Sequence, residues 1–356
     1  MTKLSAVAAV AALALAGCGG SDSEGGGGDK PAASDDVCKT ADGDGPKIGL
    51  AYDVGGRGDQ SFNDSAYAGL EKAVTDFDAT CIEGEATDGE AESAREDRLR
   101  NMAENGATAI IGVGFAYSES VNAVAPDFPE VNFAVIDGFD PDETANDNVA
   151  YLGFAEEQGS FLVGVAAAEK SKSGTIGFVG GVNNDLIQKF EAGYTAGAKA
   201  ANPDIKVEVA YIQESDLAGF GDPAGGKAAA TGEFDKGADV VYHAAGGSGS
   251  GVFDAAVEAG EGNYAIGVDS DQYLTATDAQ KPFILTSMLK RVDTATYDFA
   301  KSIDEGKALV SYTVYDLKAD GVGYSKSGGF VDDIAADIDG YKDKIIGGEI
   351  KVPTKP

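Results

Sequence analysis

Short β-rich runs alternate with helix-patterned segments twice over along this chain, and that double series restricts the fold more than any other feature. The first series is Lys47–Asp53, Cys81–Thr87, Ala109–Gly114, Asn132–Gly138 and Val149–Phe154. The second is Thr175–Gly180, Lys206–Ile212, Asp239–Ala244, Tyr264–Asp269 and Phe283–Leu289. Several runs are almost continuously apolar, as parallel strands covered on both faces must be. Between them, Phe62, Ala66, Leu70, Ala73 and Val74 fall on one helical stripe, as do Phe190, Tyr194, Ala198 and Ala201. Alternation of this kind predicts an α/β protein with two doubly wound parallel sheets.

The two halves also echo each other. Ile48-Gly-Leu, Gly55-Gly56, Phe62 and Gly69 are matched in order by Ile176-Gly-Phe, Gly180-Gly181, Phe190 and Gly193. Two similar lobes make a cleft, and open α/β sheets bind ligands beyond the carboxyl ends of their strands. Leu309 to Tyr324 has the pattern of two further strands, which would return the chain between the lobes as a hinge. The expected division is lobe 1 from residues 46–153 with about 287–314, and lobe 2 from 154–286 with about 315–350.

The start of the chain has a different character. Lys3 precedes a small-residue apolar run, Leu4 to Ala16, followed by Leu15-Ala16-Gly17-Cys18 and then polar sequence. The run is shorter than the roughly 20 apolar residues that span a bilayer. It has the pattern of an export signal, residues 1–17, that leaves Cys18 as the first residue, carrying lipid. A diacylated cysteine is a stable two-chain anchor to the cell membrane. Ser21 to Asp36 contains no large apolar residue, so 18–45 is expected to be a flexible tether.

The net charge is −33, and loss of Lys3 with the signal would make it one unit more negative. Such a surface repels nucleic acid at long range. With Cys18 taken by lipid, Cys38 and Cys81 remain as an even pair in an oxidising compartment. Cys38 precedes the first strand and Cys81 opens the second; these strands neighbour one another in a doubly wound sheet, which predicts a disulfide.

Chemistry concentrates in Asp53-Val-Gly-Gly-Arg-Gly-Asp59-Gln-Ser61-Phe62-Asn63-Asp64, between a strand and a helix. The glycines allow close backbone approach, and Asp59 or Ser61 suits a helix N-cap. Phe62 is unexpectedly apolar beside a loop, and Asp53, Asp59 and Asn63 surround it with acceptors. An aromatic face with that rim suits a planar ligand bearing hydroxyl and N–H groups.

This segment resembles the Asp-x-Gly-Gly-x-x-Asp-x-Ser-Phe-Asn signature of the basic membrane protein family of lipoproteins, which includes purine nucleoside receptors. Similar blocks follow in order: Phe133-Ala-Val-Ile-Asp137, Gly180-Gly181 with Phe190-Glu-Ala-Gly-Tyr, Phe220-Gly-Asp-Pro-Ala, Ala245-Gly-Gly-Ser-Gly-Ser-Gly-Val-Phe, Ile266-Gly-Val-Asp269-Ser-Asp-Gln and Thr286-Ser-Met-Leu-Lys290. The resemblance implies a type I periplasmic-binding fold, a monomer serving the permease subunits of an ABC importer, and no cofactor. It implies that Phe62 and Phe220 sandwich a nucleobase, with Tyr211 as an alternative second stacker. Asp137 would accept hydrogen bonds from the base edge, and Asp53, Asp59 and Asn63 would add polar contacts. Asp269 would take ribose hydroxyls, and Lys290 with the Gly246-Gly247 backbone would close the site.

Competing signals fail on their own chemistry. Gly221 to Ala228 nearly spells a phosphate loop, but Ala228 lacks the hydroxyl for Mg²⁺ and Asp222 would repel phosphate. The serines of Gly247-Ser-Gly-Ser-Gly251 lack the nucleophile-elbow spacing, and the lone His243 lies in a strand. No Cys/His cluster has zinc spacing and no loop has calcium spacing. The alternatives to an importer receptor are a nucleoside-cleaving hydrolase and a receptor for another polar solute that feeds a sensor.

Overall fold

The computed structural model describes residues 36–87, 89–140 and 146–356. Cys18 and the expected signal and most of the tether lie outside the described residues. Among the described residues, twelve strands form two six-stranded sheets. The first contains β1 (Lys47–Tyr52), β2 (Thr80–Glu85), β3 (Ala109–Val113), β4 (Asn132–Ile136), β5 (Val149–Phe154) and β11 (Ser311–Tyr315), in the order β11-β5-β4-β3-β1-β2. The second contains β6 (Thr175–Val182), β7 (Lys206–Gln213), β8 (Val240–Ala244), β9 (Tyr264–Asp269), β10 (Ile284–Lys290) and β12 (Val322–Tyr324), in the order β12-β10-β9-β8-β6-β7. Every pairing is parallel except β10 with β12. The two sheets therefore repeat one winding, as the sequence echo implies.

The helices are α1 (Val37–Thr40), α2 (Phe62–Phe77), α3 (Glu92–Glu104), α4 (Ser118–Val124), α5 (Glu156–Lys170) and α6 (Asp185–Ala201). They continue with α7 (Pro223–Asp235), α8 (Gly249–Ala259), α9 (Gln272–Thr275), α10 (Val292–Asp304) and α11 (Ala335–Ile346). None is long and apolar enough to cross a membrane. The strand cores are sealed: Ile48, Leu50, Ile110, Ile111, Phe133, Phe178, Val240 and Tyr242 have no exposed surface.

Three details go beyond the sequence reading. The return to the first lobe, expected near residue 287, comes after Lys290, because Met288, Leu289 and Lys290 all pair with β12. Only then does α10 pack against α2. The strand expected to end at Gly180 runs on through Gly181 to Val182, so the second glycine pair lies within β6. A Cβ on Gly180 would lie 2.5 Å from the Tyr211 ring, and one on Gly181 2.5 Å from the Phe220 ring. Glycine is required there because two rings lie on the strand. Tyr211 is thereby spent, its ring against β6 and its hydroxyl donating to Glu191 at 2.5 Å.

Cys38 and Cys81 form a disulfide, tying α1 to β2. The bond closes a loop of 43 residues, for which chain entropy predicts up to ~4 kcal/mol of stabilisation. Replacing both cysteines with serine is expected to lower the melting temperature by several degrees in calorimetry. An unchanged melting temperature would show the bridge to be energetically idle.

Candidate functional site

The carboxyl ends of both sheets converge on one cavity, with about 540 Å³ of empty space, part of it open to solvent. Asp53, Asp59, Phe62, Asn63, Asp137, Phe220, Gly246, Asp269 and Lys290 all line it. It also takes in Val54, Gly114 and Phe115 from the first lobe and Leu186, Ile187, Phe190, Ala244, Ala245 and Val268 from the second. The apolar lining is what one-sequence reasoning misses. Phe190 was legible only as part of the α6 core stripe, and nothing local marks Phe115.

The loop after β1 builds itself before it builds a site. Both oxygens of Asp59 are occupied: Oδ1 accepts from the Ser61 and Asp64 backbone N–H groups at 2.9 and 3.1 Å. Oδ2 accepts from the Asn63 backbone N–H at 2.8 Å and from Asn63 Nδ2 at 3.1 Å. A carboxylate has about four lone-pair sites, so Asp59 is filled by capping α2. Asn63 Oδ1 in turn accepts from the Asp53 backbone N–H at 3.1 Å. Asp59 and Asn63 thus border the cavity as the frame that aims Asp53 and Phe62.

Three carboxylates keep acceptor capacity. Asp53 Oδ1 accepts from the Val54 N–H at 2.8 Å, and its other oxygen lies against Gly114. Asp137 follows β4 and Asp269 ends β9, which are equivalent strands of the two sheets. Both sit in the left-handed region, with φ of 59° and 62°, a conformation that costs a non-glycine residue energy and recurs at functional sites. Asp269 Oδ2 accepts from Ser61 Oγ at 2.6 Å. Asp137 Oδ2 accepts from Lys290 Nζ at 2.5 Å, while its buried Oδ1 has no partner.

Lys290 is the hub of the floor. It is 2% exposed, with its Nζ 4.9 Å from the Phe62 ring centre, 5.1 Å from Phe154 and 5.5 Å from Phe190. Burial pulls its pKa down, but the charges of Asp137, Glu156 and Asp269 outweigh that and hold it above the ordinary lysine value. Burial pushes Asp53 and Asp59 up to about 6, against the pull of the backbone donors. Burial also raises Asp269, which Lys290 and Ser61 partly offset.

Phe62 and Phe220 are only half-buried, unusual for aromatic rings enclosed between two lobes. Phe220 is fixed by Ser248, whose Oγ donates to the Gly219 carbonyl at 2.8 Å and accepts from the Asp222 N–H at 2.8 Å. The loop that looked like a phosphate site is a helix cap, with Asp222 accepting from the Gly225 N–H at 2.9 Å. His243 is fully buried against Phe253, and burial pushes its pKa down to about 4.

The lobes also touch across the cleft. Ser270 Oγ donates to the Ser61 carbonyl and Gln272 Nε2 to the Gln60 carbonyl, both at 3.1 Å.

Comparison with known proteins agrees with this architecture. The family model described as ABC transporter substrate-binding protein PnrA-like matches residues 47–356. The ABC transporter nucleoside-binding protein BmpA of Lactococcus lactis is 33% identical, over 99% of this chain and 98% of that protein. Basic membrane protein A1 of Borrelia garinii is 35% identical, over 86% and 88%. The crystal structure of an ABC transporter solute-binding protein from Aeropyrum pernix superposes with a TM-score of 0.74 at 29% identity, covering 87% of this chain and 93% of that one. This chain belongs to the PnrA-like family of ABC transporter substrate-binding proteins, which bind solutes and are not enzymes.

Proposed function

We propose that the protein is an extracytoplasmic receptor that clasps a nucleoside, by preference a purine, between its lobes and delivers it to the permease of an ABC importer. In this reading Cys18 carries the lipid that holds it to the cell membrane. The observation that carries the ligand class is the buried, unpartnered Oδ1 of Asp137 in a cavity bordered by two half-buried phenyl rings. An unpaired buried acceptor costs about 1–3 kcal/mol, and a ligand N–H beside a stacked ring recovers it. Asp53 and Asp269 offer further acceptors to hydroxyl groups, a set that suits a base joined to a sugar. The name of the Lactococcus relative points to the same ligand class. Closure follows from differential affinity: a solute touching both lobes favours the state in which both contacts exist.

Calorimetry decides it. Protein unfolded and refolded to remove any bound solute is expected to release heat with adenosine, guanosine or inosine. Silence with every nucleoside would overturn the ligand assignment. Affinity should also depend on pH. Asp53 is charged only above its raised value of about 6, so it accepts from ligand hydroxyls at pH 7.5 and carries a proton at pH 5. Binding is therefore expected to weaken about tenfold between pH 7.5 and 5. A flat profile over that range would remove Asp53 from the contact set.

A further inference from the structure

Glu156 opens α5, is fully buried, and has had no part in the cavity so far. It faces two lysines: Oε2 lies 3.2 Å from Lys189 Nζ, and Oε1 lies 3.8 Å from Lys290 Nζ. Oε1 has no hydrogen-bond partner. Its placement comes from the crossing of α5 and α6, which is close because glycines line it. A Cβ on Gly193 would fall 2.1 Å from the Glu157 carbonyl oxygen, and one on Gly197 2.0 Å from that of Phe161.

Lys290 belongs to β10, in the same lobe as Glu156, whereas its bonded partner Asp137 follows β4 in the other lobe. One ammonium is thus shared by carboxylates on opposite sides of the cleft. Any parting of the lobes lengthens the 2.5 Å contact with Asp137. It leaves the 3.8 Å approach to Glu156 intact, because α5 packs directly on β10.

We propose that Glu156 is a positioning residue, the resident counter-ion that keeps Lys290 charged and in place within the second lobe while Asp137 is withdrawn. This rests on the lobe-clasping reading above. With Asp137 withdrawn and Glu156 absent, a lysine beside the Phe190 ring would keep only the charge of Asp269 and hold its proton less tightly, and Asp137 would then return to a partly neutral amine. The orphaned Oε1, 3.8 Å from Nζ, is the counterpart of that need. The groups facing Lys290 are Asp137 beyond β4, Asp269 at the end of β9 and Glu156 on α5. Lys189 of α6 competes for Glu156, and the charge of Asp137 also acts on Asp53.

The test is the Lys290 titration in ligand-free, full-length folded protein, followed by ¹³C,¹⁵N-lysine NMR and assigned with Lys290→Arg. Glu156→Gln is expected to lower the Lys290 pKa by at least about one unit, and Glu156→Asp by less. Lys189→Met, at a half-buried position, is expected to raise it. Burial pushes Glu156 itself up to about 7, so calorimetry with adenosine should show wild-type affinity level from pH 8 to 9.5. In Glu156→Gln it should fall about tenfold over that range, because closure must then take up a proton. An unchanged Lys290 titration in Glu156→Gln, or in Lys189→Met if the first variant does not fold, overturns the proposal. Should the wild type bind no nucleoside, the ligand assignment falls, and the NMR titration still decides the role of Glu156.

Discussion

Asp137→Ala is expected to weaken nucleoside binding at least about 100-fold and to lower the melting temperature of the ligand-free protein. The physical reason is twofold. The substitution removes the free acceptor in the cavity, and it strips the buried Lys290 ammonium of its nearest counter-charge, 2.5 Å away. Removing one partner of a buried ion pair costs about 3–5 kcal/mol, and the lower end applies because Glu156 stays within 3.8 Å of Lys290. The two losses can be separated. Adding Lys290→Met to Asp137→Ala removes the stranded charge and fills its space with an apolar chain, so stability should recover. Affinity should not, since the acceptor is still missing. Measured by calorimetry and thermal melting, wild-type affinity in the single variant would show that Asp137 serves the lobe contact alone. Recovery of binding in the double variant would show the same.

Phe62→Ala is expected to have the second largest effect, with affinity falling roughly 10- to 100-fold, since stacking on one aromatic face contributes about 1–3 kcal/mol per base. Stability should fall less than affinity, because the half-buried ring packs only partly against the core and otherwise faces the cavity. That contrast separates a ligand platform from a packing residue, for which the melting temperature would fall along with affinity. Phe62→Tyr keeps the face and should keep most of the binding. The Lys290 ammonium 4.9 Å from the ring centre also favours an aromatic side chain there. Equal affinity in Phe62→Ala and wild type would leave the base without its platform on the first lobe.

Part of this site could be read before any coordinates. A phenylalanine in the first turn of a helix, beside a glycine loop and among acceptors, can bury only part of its ring in the core. That mismatch marks Phe62 as a surface for something else. Asp53 at the end of an apolar strand is legible for a similar reason, because strand ends of open α/β sheets face the cleft. What the same loop does not reveal is division of labour. Asp53 and Asp59 look alike in sequence, yet the turn through Gly55, Gly56 and Gly58 brings four donors onto Asp59 and only one onto Asp53. Glu156 was illegible for another reason. Helix α5 is apolar nearly all round, so Glu156 and Glu157 have no polar face to distinguish them. Only the crossing of α6 makes one of them the partner of two lysines.

Periodicity and turn chemistry act between near neighbours, so the sequence alone determined the alternating strands, the repeated winding, the cysteine pairing and the loop that carries Phe62. The docking of one lobe on the other decided the rest. It joins Lys290 to Asp137 across 153 residues of chain and leaves one oxygen of Asp137 buried without a partner. Such contacts depend on where two separately folded surfaces meet. Their energies come from desolvation and charge at that meeting, and no local pattern records them.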